Sequence, residues 1–138
     1  MSSSLFYDCY APYESYARTE YVDGDKTFGE VGVGDILYSL GMYGEIKELK
    51  VKTPFHVFLK HCYITIEGKG NNIDFGPSNC ANVLEARDKS IVYYNGRVIG
   101  TNKESVKNAM CSRIECEVSD AKKKYEYWMK NIERIKSL

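Results

Sequence analysis

The last third of the sequence carries a heptad pattern that requires a helix. Its apolar residues recur with alternating steps of four and three, at Ile114, Val118, Ala121, Tyr125, Trp128, Ile132 and Ile135. A strand repeats every two residues, so only an α-helix places these side chains along one stripe. The strict spacing is typical of helices that pair in a left-handed coiled coil. The sequence therefore predicts a long, amphipathic C-terminal helix.

The length of this helix raises the question of what covers its apolar seam. A continuous helix over residues 102–137 would be about 54 Å long at ~1.5 Å per residue, which exceeds the width of a small sheet. Either the helix breaks near Ser119 and folds back, or the seam pairs with another chain. For the second alternative we predict a homodimer, with an interface formed by Ile114, Val118, Tyr125, Trp128, Ile132 and Ile135.

Short β-forming segments precede the helix. They are rich in β-branched and aromatic residues, are bounded by Gly or Pro, and span residues 35–40, 45–52, 55–67, 73–75, 91–94 and 97–99. In the third, Cys62, Ile64 and Ile66 alternate with other residues, which predicts a half-buried antiparallel strand. Asn95-Gly96 predicts a type I′ hairpin turn. The Thr101-x-x-Glu104 sequence predicts a capping box that opens the helix.

These elements predict an α+β fold, with a small antiparallel β-barrel or curled sheet of about five or six strands followed by the long helix. The start Val33-Gly-Asp-Ile-Leu-Tyr38 and the strand-to-helix junction at residues 100–104 resemble small SH3-like β-barrels of phages and mobile elements. The resemblance covers residues 28–120. It implies a scaffold that binds a partner, and it carries over no functional residue.

The chain has the usual length of one domain, so we predict a single domain over residues 1–138. Within it we distinguish a tyrosine-rich N-terminal segment (1–27), the sheet or barrel (28–100) and the helical segment (101–138). Four tyrosines of the first segment recur every third residue and are candidate binding residues: Tyr7, Tyr10, Tyr13 and Tyr16. They would either grip a partner as an aromatic arm or cover one end of the core.

Charge and cysteine content narrow the range of partners and compartments. Nineteen basic residues balance nineteen acidic ones, which argues against nucleic acid; the alternative is a single-stranded nucleic-acid binder that uses the tyrosines and Lys122–Lys124. Five cysteines without a Cys-x-x-Cys pair predict reduced thiols in the cytoplasm. The first residues lack a basic region and an uninterrupted apolar run, so we expect no secretory signal. No later apolar run reaches roughly 20 residues, so we expect no membrane span.

The candidates for catalysis and metal binding are few. His56 and His61 are five residues apart, so within one strand they would lie on opposite faces and could not share a metal ion. We therefore predict no metal and no cofactor. Cys80 lies in a loop and is the best-placed nucleophile, with His61 or His56 as its base, so a small Cys–His enzyme stays open as an alternative.

The leading hypothesis from the sequence is a non-enzymatic binding protein. We expect it to be a cytoplasmic homodimer that binds or sequesters a host protein or a small ligand, with an origin in a phage or a mobile element suggested by the resemblance. The expectation rests on the compact β-rich scaffold, the unpartnered seam and the lack of a catalytic motif.

Overall fold

The computed structural model describes residues 17–68 and 72–138, which form one antiparallel sheet and a long helix. The strands are β1 (Arg18–Glu20), β2 (Ile36–Gly41), β3 (Ile46–Phe58), β4 (His61–Ile66), β5 (Asn72–Pro77), β6 (Ile91–Tyr94) and β7 (Arg97–Gly100). The helices are the single turn α1 (Ala81–Leu84) and the long α2 (Lys103–Lys136). Within the sheet the strand order is β1-β6-β7-β2-β3-β4-β5.

The sheet curls until its two edges approach each other. The Ala17 N–H, just before β1, donates a hydrogen bond to the Phe75 carbonyl in β5 at 3.2 Å. The Tyr94 hydroxyl donates to the Asn72 carbonyl at 3.4 Å. The result is a half-barrel followed by a long helix, which confirms the predicted α+β class with a curled antiparallel sheet.

The inner face of the curled sheet holds the larger core. Along β4 the side chains alternate as predicted, with Cys62, Ile64 and Ile66 buried in this core. Phe28 and Phe55 pack on either side of Phe75, each with its ring centroid 5.2 Å from that ring. Phe28 begins a short 3₁₀ helix, Phe28–Glu30, and is fully buried. A segment between strands thus supplies one of the largest core side chains.

A second core lies between the outer face of the sheet and the start of α2. Leu40, Ile91 and Val98 from β2, β6 and β7 pack against Val106 and Met110 of the helix. Alternate residues of these strands point to opposite faces of the sheet, so each strand contributes side chains both to the inner core and to the contact with the helix.

Gly100, the last residue of β7, allows the helix to approach the sheet closely. A Cβ atom at this position would lie 2.7 Å from the Val106 Cγ2 atom, 2.7 Å from the Ile91 Cδ1 atom and 2.9 Å from the Ser90 carbonyl oxygen. Only glycine leaves this space free.

The start of helix α2 differs from the prediction. Asn102, not Thr101, is the N-cap, and its side-chain oxygen accepts a hydrogen bond from the Ser105 N–H at 3.2 Å. The Thr101 hydroxyl donates instead to the Lys26 carbonyl. The predicted capping box is therefore wrong, because tertiary structure uses the threonine and asparagine caps a helix equally well.

Residues 55–67 form parts of two strands and not the single strand that was predicted. Strands β3 and β4 are joined by Leu59 and Lys60, whose φ angles are +48° and +64°. Positive φ at both residues is the type I′ geometry, which neither side chain favours, so the sequence gave no turn signal. The sequence also predicted that a strand would end before Pro54. Strand β3 instead continues through Pro54, and only its pairing register with β4 is irregular there.

Two further elements differ from the sequence-based description. Strand β1 lies within the tyrosine-rich segment and pairs with β6, although its three residues carried no strand pattern. Residues 78–90, to which the sequence assigned no strand, contain α1 and then a 3₁₀ helix, Glu85–Asp88. The hairpin predicted at Asn95-Gly96 is confirmed, with φ angles of +50° and +75°.

Candidate interaction surface

Helix α2 is continuous over 34 residues, a length of about 51 Å at ~1.5 Å per residue. The predicted alternative of a break near Ser119 does not occur. We call residues 103–120 the docked half, because its buried residues lie there and the last of them is Asp120. We call residues 121–136 the projecting half. Every side chain in it is exposed except that of Asn131, which is half-buried.

The docked half packs on β7, β2 and β6 through Val106 and Met110. Ala109 and Ile114 are partly buried against the same core. Ile114, which was predicted to lie in a dimer interface, therefore already packs against the sheet of its own chain. Val118, one turn further, is exposed although it still belongs to the docked half.

The projecting half exposes the rest of the predicted seam to solvent. Tyr125 is 65% exposed and Trp128 is 61% exposed, with Ile132 and Ile135 exposed beyond them. The Tyr127 and Trp128 rings meet edge to face, 5.1 Å apart. The structure thus brings these predicted residues together along one helix face, and within the described chain nothing buries them.

A second exposed apolar surface lies at the tip of the β3–β4 hairpin. We call Val57, Phe58 and Leu59 the hairpin tip. All three are more than half exposed, and Leu59 is 78% exposed. Leu59 also takes a left-handed backbone conformation, which costs roughly 1–2 kcal/mol for a residue other than glycine. The hairpin tip thus combines a strained backbone with exposed apolar side chains. Neither feature stabilises the folded monomer.

Three aromatic rings lie beside the tip on the outer face of the sheet, and we call them the ring row. His61 stacks on Tyr63 with ring centroids 6.1 Å apart, and Tyr63 lies 6.0 Å from His56 across the β3–β4 pair. The two histidines therefore share a face. The prediction that they lie on opposite faces was wrong because it placed both on one strand.

Hydrogen bonds orient both histidines in the same way. The His56 Nδ1 atom lies 2.8 Å from the Pro54 carbonyl oxygen. A carbonyl only accepts, so Nδ1 carries the proton. The His61 Nδ1 atom lies 3.0 and 3.1 Å from the two Asp74 carboxylate oxygens, and Asp74 is fixed in turn by the Gly76 N–H at 2.9 Å. Among the described residues, the Nε2 atoms are left for solvent or a partner.

A Cys–His pair would require the Cys80 thiol and a histidine ring to lie on the same side of the sheet. The Cys80 side chain packs against the inner core, whereas the ring row lies on the outer face of the sheet. Within residues 17–68 and 72–138, no hydrogen bond joins the Cys80 thiol to His56 or His61. Burial raises the pKa of the Cys62 thiol, with a further contribution from the Asp74 charge, and so disfavours its thiolate form.

A polar cleft of about 250 Å³ lies between β1 and the docked half. In it, Arg18 bridges to Glu20 at 2.8 Å and lies over the Tyr93 ring, 5.1 Å from its centroid. The Tyr93 hydroxyl donates to Glu20 at 3.0 Å. Burial, and then the Glu20 charge, raise the pKa of Tyr93 to about 12, so it stays neutral at physiological pH. These contacts hold β1 against β6.

A second cleft of about 320 Å³ opens between the inner sheet face and the β6–β7 turn. Its lining combines apolar side chains, such as Leu49 and Ile73, with Lys47 and Arg97. The Arg97 guanidinium is already bonded to Ser39 and Glu45.

Several predictions concern other parts of the chain. The candidate binding residues Tyr7, Tyr10, Tyr13 and Tyr16 lie outside the described residues. Among the residues that are described, no group of three or more His, Cys, Asp or Glu is arranged to hold a metal ion. In the same part of the chain, no helix has a stretch long and apolar enough to cross a bilayer.

Comparison of the chain with protein-family models, with curated proteins and with solved structures found no match.

Proposed function

We propose that the protein is a non-enzymatic binding protein that acts as a homodimer and binds or sequesters a protein partner. The dimer is held by the seam of helix α2, and each half-barrel presents a hairpin tip and a ring row. The resemblance to small SH3-like barrels adds the suggestion of a phage or mobile-element protein whose target belongs to the host.

The observation that carries the proposal is the exposed seam of the projecting half. Burial of a large apolar side chain stabilises a protein by about 1.5–3 kcal/mol. The monomer lacks this stabilisation at four exposed seam residues: Tyr125, Trp128, Ile132 and Ile135. Contiguous exposed apolar surface of this kind marks an interaction site. A second copy supplies a seam of the same spacing, so self-association buries both seams at once.

The hairpin tip supports the second part of the proposal, a protein target. Strained backbone is retained where the surrounding structure and the function demand it. An exposed Phe58 and Leu59 on a rigid β-hairpin suit insertion into an apolar groove, and the neighbouring Tyr63 and His61 rings extend the surface. Two such tips on one dimer would bind a repeated or dimeric target with higher avidity than one.

The homodimer can be tested by placing a charge in the seam. Ile132→Lys would put an ammonium group between the two helices, where removing it from water is costly, so we expect this variant to sediment as a monomer while the unmodified chain sediments as a dimer. Ser119→Lys is the matched control, because Ser119 is exposed and lies away from the seam, and it should leave the dimer intact.

Circular dichroism should show the same β-structure in both variants, since neither position contacts the cores. An unmodified protein that is monomeric at tens of micromolar would overturn the proposed dimer. A dimer that survives Ile132→Lys would show that another surface joins the chains.

A further inference from the structure

We infer that the two helices pair antiparallel, in the register that places Tyr125 opposite the partner's Trp128. This inference rests on the proposed homodimer and adds its geometry. The chain offers three observations that bear on the choice: the order of side-chain sizes along the seam, the charges that flank it, and the point at which the sheet begins to cover the helix.

The sizes of the seam residues favour the antiparallel arrangement. In the heptad, Val118, Tyr125 and Ile132 occupy the a positions, and Ala121, Trp128 and Ile135 occupy the d positions. A parallel pair stacks each residue on its own copy. An Ala121 layer would then leave a void, while the Trp128 layer one heptad further would be overfilled.

An antiparallel pair places each a position opposite a d position of the partner subunit. Val118 then faces the partner's Ile135, and Ala121 faces the partner's Ile132. Each smaller residue is opposite a larger one, so the layers become more equal in volume. Tyr125 faces the partner's Trp128 at the centre, where both rings can bury their apolar parts and keep their polar atoms at the edge.

The flanking charges are compatible with this register. Glu115 lies beside the partner's Lys136, and Lys124 lies beside the partner's Asn131, so no like charges meet across the interface. A parallel pair would also match charges, through Glu117 and the partner's Lys122. Exposed ion pairs contribute little, so the packing of the layers decides the orientation.

The boundary of the docked half gives the third argument. A parallel coil would continue through Ile114, but this residue already packs against its own sheet. The seam layers of the antiparallel register lie within residues 118–135 of each chain, and the seam side chains there are exposed. Each half-barrel then sits at an opposite end of the helix pair, and neither core has to open.

Disulfide crosslinking tests the register directly. In a background with Cys9→Ser, Cys80→Ser, Cys111→Ser and Cys116→Ser, one variant carries Ala121→Cys and a second carries Ile132→Cys with a mass tag. In the antiparallel pair the two copies of position 121 are offset by about 16 Å along the axis at ~1.5 Å per residue. A disulfide needs Cα atoms roughly 4.4–6.8 Å apart. Positions 121 and 132 of opposite chains meet that requirement.

We expect neither variant to crosslink alone and the mixture to yield a dimer of intermediate mass on a non-reducing gel. Ser119→Cys, which faces away from the seam, measures the background from random collisions. Self-crosslinking of Ala121→Cys would overturn the antiparallel arrangement in favour of a parallel one. Sedimentation as a dimer without any crosslink would overturn this register and leave the homodimer standing, whereas sedimentation as a monomer would refute the homodimer itself.

Discussion

The docked and projecting halves of helix α2 share one continuous backbone, yet the docked half buries its apolar side chains and the projecting half exposes them. Val106 and Met110 in the docked half are buried against the outer face of the sheet. Trp128 and Ile132 in the projecting half are exposed. The sheet explains the difference, because the strands that the helix packs on, β2, β6 and β7, have only four to six residues and offer a surface much shorter than the helix. Hydrophobic periodicity therefore identifies a helix and its apolar face, but the size of the neighbouring layer determines how much of that face is covered.

Truncation of one apolar side chain in each half should produce the largest difference in the free energy of unfolding. Met110→Ala should lower the free energy of unfolding by about 2–5 kcal/mol, because it removes buried methylenes and leaves a cavity. Ile132→Ala should change it by less than ~0.5 kcal/mol in protein dilute enough to be monomeric. Urea titrations followed by circular dichroism measure both values.

The same titration at high protein concentration sharpens the comparison. Because association stabilises the folded state by mass action, Ile132→Ala should become destabilising as the unmodified chain dimerises. Equal losses for the two variants in dilute protein would mean that the monomer already covers its projecting half.

A substitution at the closest helix–sheet approach should weaken docking without touching the projecting half. Gly100→Ala places a methyl group within 3 Å of Val106, Ile91 and the Ser90 carbonyl, so we expect a loss of roughly 1–3 kcal/mol in unfolding free energy. Gly32→Ala is the control, since the nearest atom to its new Cβ is an Asp35 oxygen at 3.9 Å. If Gly100→Ala cost no more than the control, the docked half would have to pack more loosely than described.

A smaller effect than at Gly100 is expected at the start of the docked half. Asn102→Ala removes the side chain that accepts the Ser105 N–H and should cost ~1 kcal/mol, measured as the shift of the thermal midpoint at constant pH. Asn102→Asp keeps an acceptor oxygen and should retain most of the stability. A similar loss in both variants would assign the effect to something other than the cap.

The two tight hairpins illustrate what the sequence could and could not predict. Asn95-Gly96 was recognised because both residues tolerate positive φ, and the strands on either side followed from it. Leu59-Lys60 adopts the same geometry without that chemistry, because the pairing of β3 with β4 imposes it. Without this turn the ring row could not be predicted either. His56 and His61 lie on the same face only because they belong to two different strands.

The candidate surface was predictable only in part. The heptad spacing of Tyr125, Trp128 and Ile132 identified the seam, because helical periodicity is local. The internal role of Ile114 depends on where the sheet ends, which is a tertiary property. The hairpin tip had no sequence signal, since Phe58 and Leu59 look like ordinary strand residues until the turn is known.

The approach of the two sheet edges has a consequence for recognition. Strand β1 has only three residues, and the Ala17 N–H next to it is already bonded to the opposite edge at Phe75. In the described residues, a visiting peptide strand would therefore find few main-chain groups to extend the ladder. Under the proposed binding function, we therefore expect recognition to come mainly from side chains. A partner would be selected by the shape and chemistry of its surface and not by its ability to become an eighth strand.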